Sequence, residues 1–262
     1  DRMLKPESGL YTRTLGQGTD LVLVHGWGMH GAVWGDFAER LASQFRVTLV
    51  DLPGHGRSPA LTPFSLQPVT RAVLEAVPRR AHWLGWSLGA LIALNVAHCH
   101  PDRVNRLILL AGSPRFLADT DWPGLEPGLL ERFADDFASD YAASLRRFLL
   151  LQNMGQDQAR VFHKQLAARL LDCPRPDPGA LAGGLGILKE TDFRAVLAHL
   201  DPPVLQILGG RDRLTPRELG PAMARLGGRC EVHLLDSAGH LPFLTHQDET
   251  LSLIRRFLSG QS

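Results

Sequence analysis

The pentapeptide Gly85-Trp86-Ser87-Leu88-Gly89 constrains this chain more than any other stretch. It matches G-x-S-x-G, follows the short apolar segment Trp83-Leu84 and opens a helical stretch from Leu88 to His98. A serine squeezed between a strand and a helix adopts a strained backbone, so the residues two positions away on either side must be small. Gly85 and Gly89 meet that demand, and Ala90 keeps the start of the helix slim. Such a turn lifts the serine hydroxyl above the end of a sheet, which makes Ser87 a candidate nucleophile.

The surrounding pattern predicts the sheet. Leu21-Val22-Leu23-Val24, Val47-Thr48-Leu49-Val50, Trp83-Leu84 and Leu107 to Leu110 are apolar runs too short for helices and closed by turn residues. Helical stretches lie between and after them at Trp34 to Ser43, Leu66 to Val77 and Leu88 to His98. Strand–helix alternation implies parallel strands joined by crossovers. After Gly112-Ser113-Pro114 the pattern turns wholly helical until about Val196. Strands resume at Val204 to Leu208 and Glu231 to Leu235, and a last helix runs from about Gln247 to Leu258. The expected organisation is an α/β core over residues 1–114 and 197–262, with an all-helical insertion at 115–196.

Composition narrows the class. With 262 residues, 44% of them hydrophobic, the chain can bury one large core. Lys plus Arg number 28 against 27 Asp plus Glu, a net charge of +1 that argues against bulk binding of nucleic acid. No apolar run approaches the ~20 residues of a membrane helix, and the opening Asp1-Arg2-Met3-Leu4-Lys5-Pro6 is not a signal peptide. Three scattered cysteines, Cys99, Cys173 and Cys230, suit free thiols in a reducing cytoplasm. The expectation is a monomeric cytoplasmic enzyme without nucleic-acid or membrane partners.

A serine hydroxyl needs a base to take its proton. In hydrolases built on a G-x-S-x-G turn the acid and then the histidine follow the serine in the chain. Of eleven histidines, His240 alone sits in a loop just after the last predicted strand. Asp212, in Gly209-Gly210-Arg211-Asp212, follows the strand before it and is the preferred acid; Asp236 is the alternative. Two backbone N–H groups should meet the developing oxyanion: that of Leu88 at the helix start, and that of Trp27 in His25-Gly26-Trp27-Gly28. The turn-rich Asp51 to Ser58 is expected to shape the sheet edge. His98-Cys99-His100 with Asp102 has the residues but not the helical spacing of a metal site, and no cofactor is expected.

Three motifs together, His25-Gly26-Trp27-Gly28, Asp51-Leu52-Pro53-Gly54 and the tryptophan-flanked elbow from Trp83 to Gly89, carry a resemblance. Asp121-Trp122-Pro123-Gly124, Arg147-Phe148-Leu149 through Gly155, and Gly183-Gly184-Leu185 through Leu188 extend it. The chain resembles the pimeloyl-acyl-carrier-protein methyl ester esterases of biotin synthesis, from about Leu15 to Phe257. It departs from their pattern at Ala90 (glycine expected), Lys164 (arginine expected) and Ala143 (a basic residue expected). The resemblance implies an α/β-hydrolase fold, a mostly parallel sheet flanked by helices with a helical lid. It implies a serine carboxylesterase releasing methanol from a carrier-borne pimeloyl ester. Ser87, Asp212 and His240 fall on the triad, Trp27 and Leu88 on the oxyanion donors, and Phe148, Leu149, Leu150, Leu151 and Gln152 on the acyl channel.

Arg146, Arg147, Arg160, Lys164 and Arg169 face only Asp157 between Ser144 and Leu170, and Arg160 and Lys164 share a helix face. An acidic acyl carrier protein would be steered by such a rim, with Arg147, Arg160 and Lys164 as its contacts. Rival readings are a general short-chain carboxylesterase, a cofactor-free C–C hydrolase or perhydrolase, and a hydrolase-fold receptor.

Overall fold

Six short runs line up side by side; the inner four are mostly buried on both faces, as parallel strands covered by helices are, while the last, at the sheet edge, is only half-buried. In the computed structural model, which describes residues 9–151 and 159–260, they form a sheet with one further edge strand. The strands are β1 (Thr12–Leu15), β2 (Thr19–Val24), β3 (Phe45–Val50), β4 (Ala81–Trp86), β5 (Val104–Leu110), β6 (Val204–Gly209) and β7 (Cys230–Leu235). Their order is β1-β3-β2-β4-β5-β6-β7, with β1 antiparallel to β3 and every other pair parallel. The edge strand was not among the predicted ones. Thr-Arg-Thr-Leu has no apolar run, and its residues are half-buried or exposed because one edge of it faces solvent.

Helices α1 (Gly35–Leu41), α2 (Leu66–Ala76) and α3 (Leu88–Cys99) make the early crossovers. On α2 the buried set Val69, Thr70, Val73 and Leu74 marks a single stripe, as expected of a helix covering one face of a sheet. By contrast α3 is buried from Leu88 through Ala97, packed on the sheet and covered by other helices. Between β5 and β6 run α4 (Pro127–Ser139), α5 (Tyr141–Leu151), α6 (Ala159–Leu171), α7 (Pro178–Glu190) and the short α8 (Arg194–Leu197). The crossover from β6 to β7 uses α9 (Leu219–Leu226), and α10 (Pro242–Thr245) and α11 (Gln247–Ser259) close the chain.

The register places every strand end that matters at one level. Val24 lies opposite both Val50 and Gly85, Trp86 opposite Leu110, and Gly209 opposite Leu235. The chain leaves β2 toward β3 and leaves β4 in the other direction toward β5, so a crevice opens between the β2 and β4 ends. Beneath it sits an aromatic cluster. Phe243 of α10 lies 4.7 Å from Trp34 and 5.2 Å from Trp86 between ring centroids, and all three side chains are fully buried. Such pairs contribute about 0.5–1.5 kcal/mol each beyond simple burial, and here they brace the loop that follows β7.

Candidate active site

Ser87 sits between β4 and α3 with φ of 55° and ψ of −118°, a left-handed backbone that a non-glycine residue adopts only when its surroundings impose it. The imposing contacts are close. A Cβ on Gly85 would lie 2.3 Å from the Gly89 carbonyl oxygen, and one on Gly89 would lie 2.2 Å from that of Val24. Any larger residue at either place would push the helix off the strands.

The three residues expected to form a triad lie in one hydrogen-bonded chain. His240 Nδ1–H donates to Asp212 Oδ2 at 2.7 Å, which leaves Nε2 as the acceptor facing Ser87 Oγ at 3.0 Å. Both the His240 and Asp212 side chains are buried. Asp212 has its remaining acceptor sites filled: Oδ1 takes the N–H groups of Leu214 (2.7 Å) and Thr215 (3.1 Å), and Oδ2 takes the Thr215 hydroxyl (2.6 Å). Sequence reasoning missed Thr215, which no motif marks. Asp236, the alternative acid, faces solvent and pairs with Arg217 at 3.3 Å. The His240 loop is held from below, since Trp86 Nε1–H donates to the His240 carbonyl at 2.9 Å.

Opposite this chain, the loop after β2 presses on Ser87; a Cβ on Gly26 would sit 3.3 Å from Ser87 Cβ. Leu88 is the first residue of α3, so its N–H has no partner inside the helix. The Trp27 indole N–H donates to the Leu181 carbonyl of α7 at 2.8 Å, and its ring meets Phe133 and Phe137 of α4 at 5.4 and 5.1 Å. Tyr141 of α5 donates its hydroxyl to the Gly28 carbonyl at 2.9 Å. The inserted helices therefore grip the same loop that borders Ser87.

Two buried histidines stand behind that loop. Burial pushes the His55 imidazole down to about 4, and burial together with the neighbouring His55 holds His25 well below its usual range. Both are neutral in the native protein at pH 7, whereas an unfolded histidine takes up a proton below about pH 6.5. The native state then binds fewer protons than the unfolded one, so stability is constant above that pH and is lost as pH falls toward 4. For His55 the loss amounts to about 3 kcal/mol. Thermal melts of His55→Gln should fall less between pH 6.5 and 4 than those of the natural protein; an equal fall would mean that His55 carries none of the acid sensitivity.

Over Ser87 lies a cavity of about 520 Å³, mouth included. Leu130 and Phe133 of α4, Phe148 of α5, and Leu185 and Leu188 of α7 roof it, and Ser87 and His240 are at its floor with Trp27 and Trp86 beside them. Phe148 stands edge-on to the His240 ring at 6.3 Å. Its neighbours on α5 do not join it. Leu149 is fully buried among other helices and Leu150 is 49% exposed, because successive helical residues point about 100° apart. The Leu151 side chain and Gln152 lie outside the described residues. Arg147 and Lys164 are exposed, but Arg147 pairs with Asp136 of α4 at 3.6 Å; the Arg160 side chain lies outside the described residues. Among the described residues no group of three or more His, Cys, Asp or Glu is arranged to hold a metal ion.

A mostly parallel sheet that delivers a strained serine, an aspartate and a histidine, in that order, from the ends of β4, β6 and β7 defines an α/β hydrolase. The Alpha/beta hydrolase family profile matches residues 21–253. A pimeloyl-[acyl-carrier protein] methyl ester esterase from Methylococcus capsulatus is 50% identical over 252 residues, spanning 96% of this chain and 99% of that protein. One of the same name from Vibrio cholerae is 42% identical and spans 91% and 94%. A solved esterase from Exiguobacterium antarcticum superposes with a TM-score of 0.85 over 97% of this chain and 98% of its own, at 20% identity, which is a likeness of fold alone. The chain belongs to the Alpha/beta hydrolase family and, within it, to the pimeloyl-[acyl-carrier protein] methyl ester esterases.

Proposed function

We propose that this chain is a serine carboxylesterase that hydrolyses the methyl ester of pimeloyl-acyl carrier protein, releasing methanol and a free carboxylate. The carrying observation is the hydrogen-bonded chain Ser87–His240–Asp212 at the floor of an apolar cavity, in a chain half identical to an esterase of that name. His240 Nε2 takes the Ser87 proton as Oγ attacks the ester carbonyl. The N–H groups of Trp27 and Leu88 hold the tetrahedral oxyanion. Collapse expels methanol, protonated by His240, and leaves an acyl-enzyme; water activated by His240 then releases the acid.

The apolar roof formed by Phe133, Phe148 and Leu188 suits a methylene chain, and we assign the inserted helices as the lid over it. Three free thiols are in keeping with a reducing compartment, and we assign the enzyme to the cytoplasm. Among the described residues no helix is long and apolar enough to cross a membrane.

Methanol release from pimeloyl-acyl carrier protein methyl ester, compared with that from a free methyl ester, tests the substrate. The carrier-linked ester should have the higher kcat/KM, and that preference should shrink as salt rises, because steering by opposite charge is screened. Equal rates on both would leave a general carboxylesterase. The Arg147–Asp136 pair favours that second reading, since it cancels one of the rim charges. Replacing Arg147, Arg160 and Lys164 together by Glu should lower kcat/KM on the carrier-linked ester about tenfold or more at low salt. Hydrolysis of a small free ester should be unchanged. A mutant with an unaltered ratio would show the basic stretch to be a solvated helix face.

A further inference from the structure

We propose that His25 and His55 are positioning residues for the oxyanion donor Trp27, each fixing one of the two peptide groups that flank it. The inference rests on the esterase reading above. In the peptide joining Gly26 to Trp27, the carbonyl oxygen accepts from His25 Nδ1–H at 2.8 Å and from the Met29 N–H at 3.3 Å. The C=O and N–H of a trans peptide point to opposite sides, so pinning the oxygen fixes the direction of the Trp27 N–H. Gly26 and Trp27 line the cavity next to Ser87, and among the described residues the Trp27 N–H has no hydrogen-bond acceptor. In the peptide joining Trp27 to Gly28, the Gly28 N–H donates to His55 Nε2 at 3.2 Å.

Each ring is itself anchored through its other nitrogen. His25 Nε2 accepts the Leu52 N–H at 2.9 Å, and His55 Nδ1–H donates to the Pro53 carbonyl at 3.0 Å. Both rings are completely buried, with centroids 5.3 Å apart. Every ring nitrogen thus has one partner, and both rings are set in the Nδ1–H form. Neither touches Ser87, so neither serves as base. Their common effect is to bolt the Trp27 loop to the turn at Leu52 and Pro53. Burial keeps both rings neutral, which preserves the two acceptor nitrogens. An oxyanion donor acts through its aim in the transition state; substrate binding in the apolar cavity does not depend on it.

The test compares His25→Leu and His55→Leu with His25→Asn, which keeps a donor near the Nδ1 position, and His55→Gln, which keeps an acceptor near Nε2. Turnover of a small p-nitrophenyl ester and inhibition by a trifluoromethyl ketone, whose adduct carries an oxyanion, are the readouts. His25→Leu should lower kcat about a hundredfold and His55→Leu about tenfold, since removing one donor outright costs about 10²–10³. KM should stay within about twofold, inhibitor affinity should fall in step with kcat, and the Asn and Gln variants should recover most of both. Where a Leu variant fails to fold, the polar variant at that position decides: near-natural kcat and inhibitor affinity support the role, and a fall in both overturns it. Folded Leu variants with natural kcat, or a loss shared equally by KM and not rescued, also overturn it. Ser87→Ala is measured alongside. If that mutant keeps turnover, the esterase reading itself falls; if it is inactive while His25→Leu and His55→Leu turn over normally, only the positioning role falls.

Discussion

Ser87→Ala should lower kcat for any ester substrate by about 10⁶-fold, down to the residual rate that the oxyanion donors and binding alone support. Covalent catalysis splits ester hydrolysis into acylation and deacylation, and both halves need the Ser87 oxygen, first as attacking atom and then as leaving group. The left-handed backbone at Ser87 also gives the mutation a structural signature. Alanine keeps a Cβ and so keeps the strain, while losing the 3.0 Å hydrogen bond to His240. The protein should therefore fold with nearly unchanged stability, and its KM or inhibitor affinity should stay measurable. A fluorophosphonate should add one adduct to the natural protein, on Ser87, and none to the mutant. Purified Ser87→Ala retaining a tenth of the natural turnover would remove the serine from the mechanism.

How much of this could be read in advance follows from what each feature depends on. Parallel strands announce themselves as short apolar runs, so β2, β3, β5, β6, β7 and the Trp83-Leu84 part of β4 were legible, and the elbow was legible because its glycines are sterically compelled. Features set by tertiary partners were not. Thr12–Leu15 is a strand only because β3 offers it an edge, and α9 lies in a stretch where the nearby motif drew attention to Asp212 alone. Within Leu145 to Leu151 apolar residues are so dense that helical phase cannot be read; only the packed structure separates Phe148, in the cavity, from Leu149 and Leu150. The basic rim was read along one segment, and Asp136 came to it from another helix. The contacts of His25, which the sequence shows only as part of the oxyanion loop, and of His55, which it shows only as part of a turn, were not legible because they run to backbone groups, which carry no sequence signature.

Asp212→Asn should cost about 10⁴ in kcat, and the hydrogen bonds around the carboxylate say why. Oδ1 faces two backbone N–H groups, those of Leu214 and Thr215, which can only donate. An asparagine must keep its carbonyl oxygen there, since turning its NH₂ to that side would set donor against two donors and leave both unsatisfied. Its NH₂ is therefore obliged to take the place of Oδ2, facing His240 Nδ1 and the Thr215 hydroxyl. The Thr215 hydroxyl can rotate to accept. His240 can satisfy the new donor only by placing its proton on Nε2, which then points at Ser87 as a donor and cannot take its proton. Geometry survives while the tautomer is wrong, so the mutant should fold normally, keep KM within a few-fold and lose nearly all turnover. Asp236→Asn breaks only a solvent-exposed pair with Arg217 and should change kcat by less than about twofold. Should the two mutants rank in the opposite order, the orienting acid would be Asp236, and the 2.7 Å contact between Asp212 and His240 would be structural.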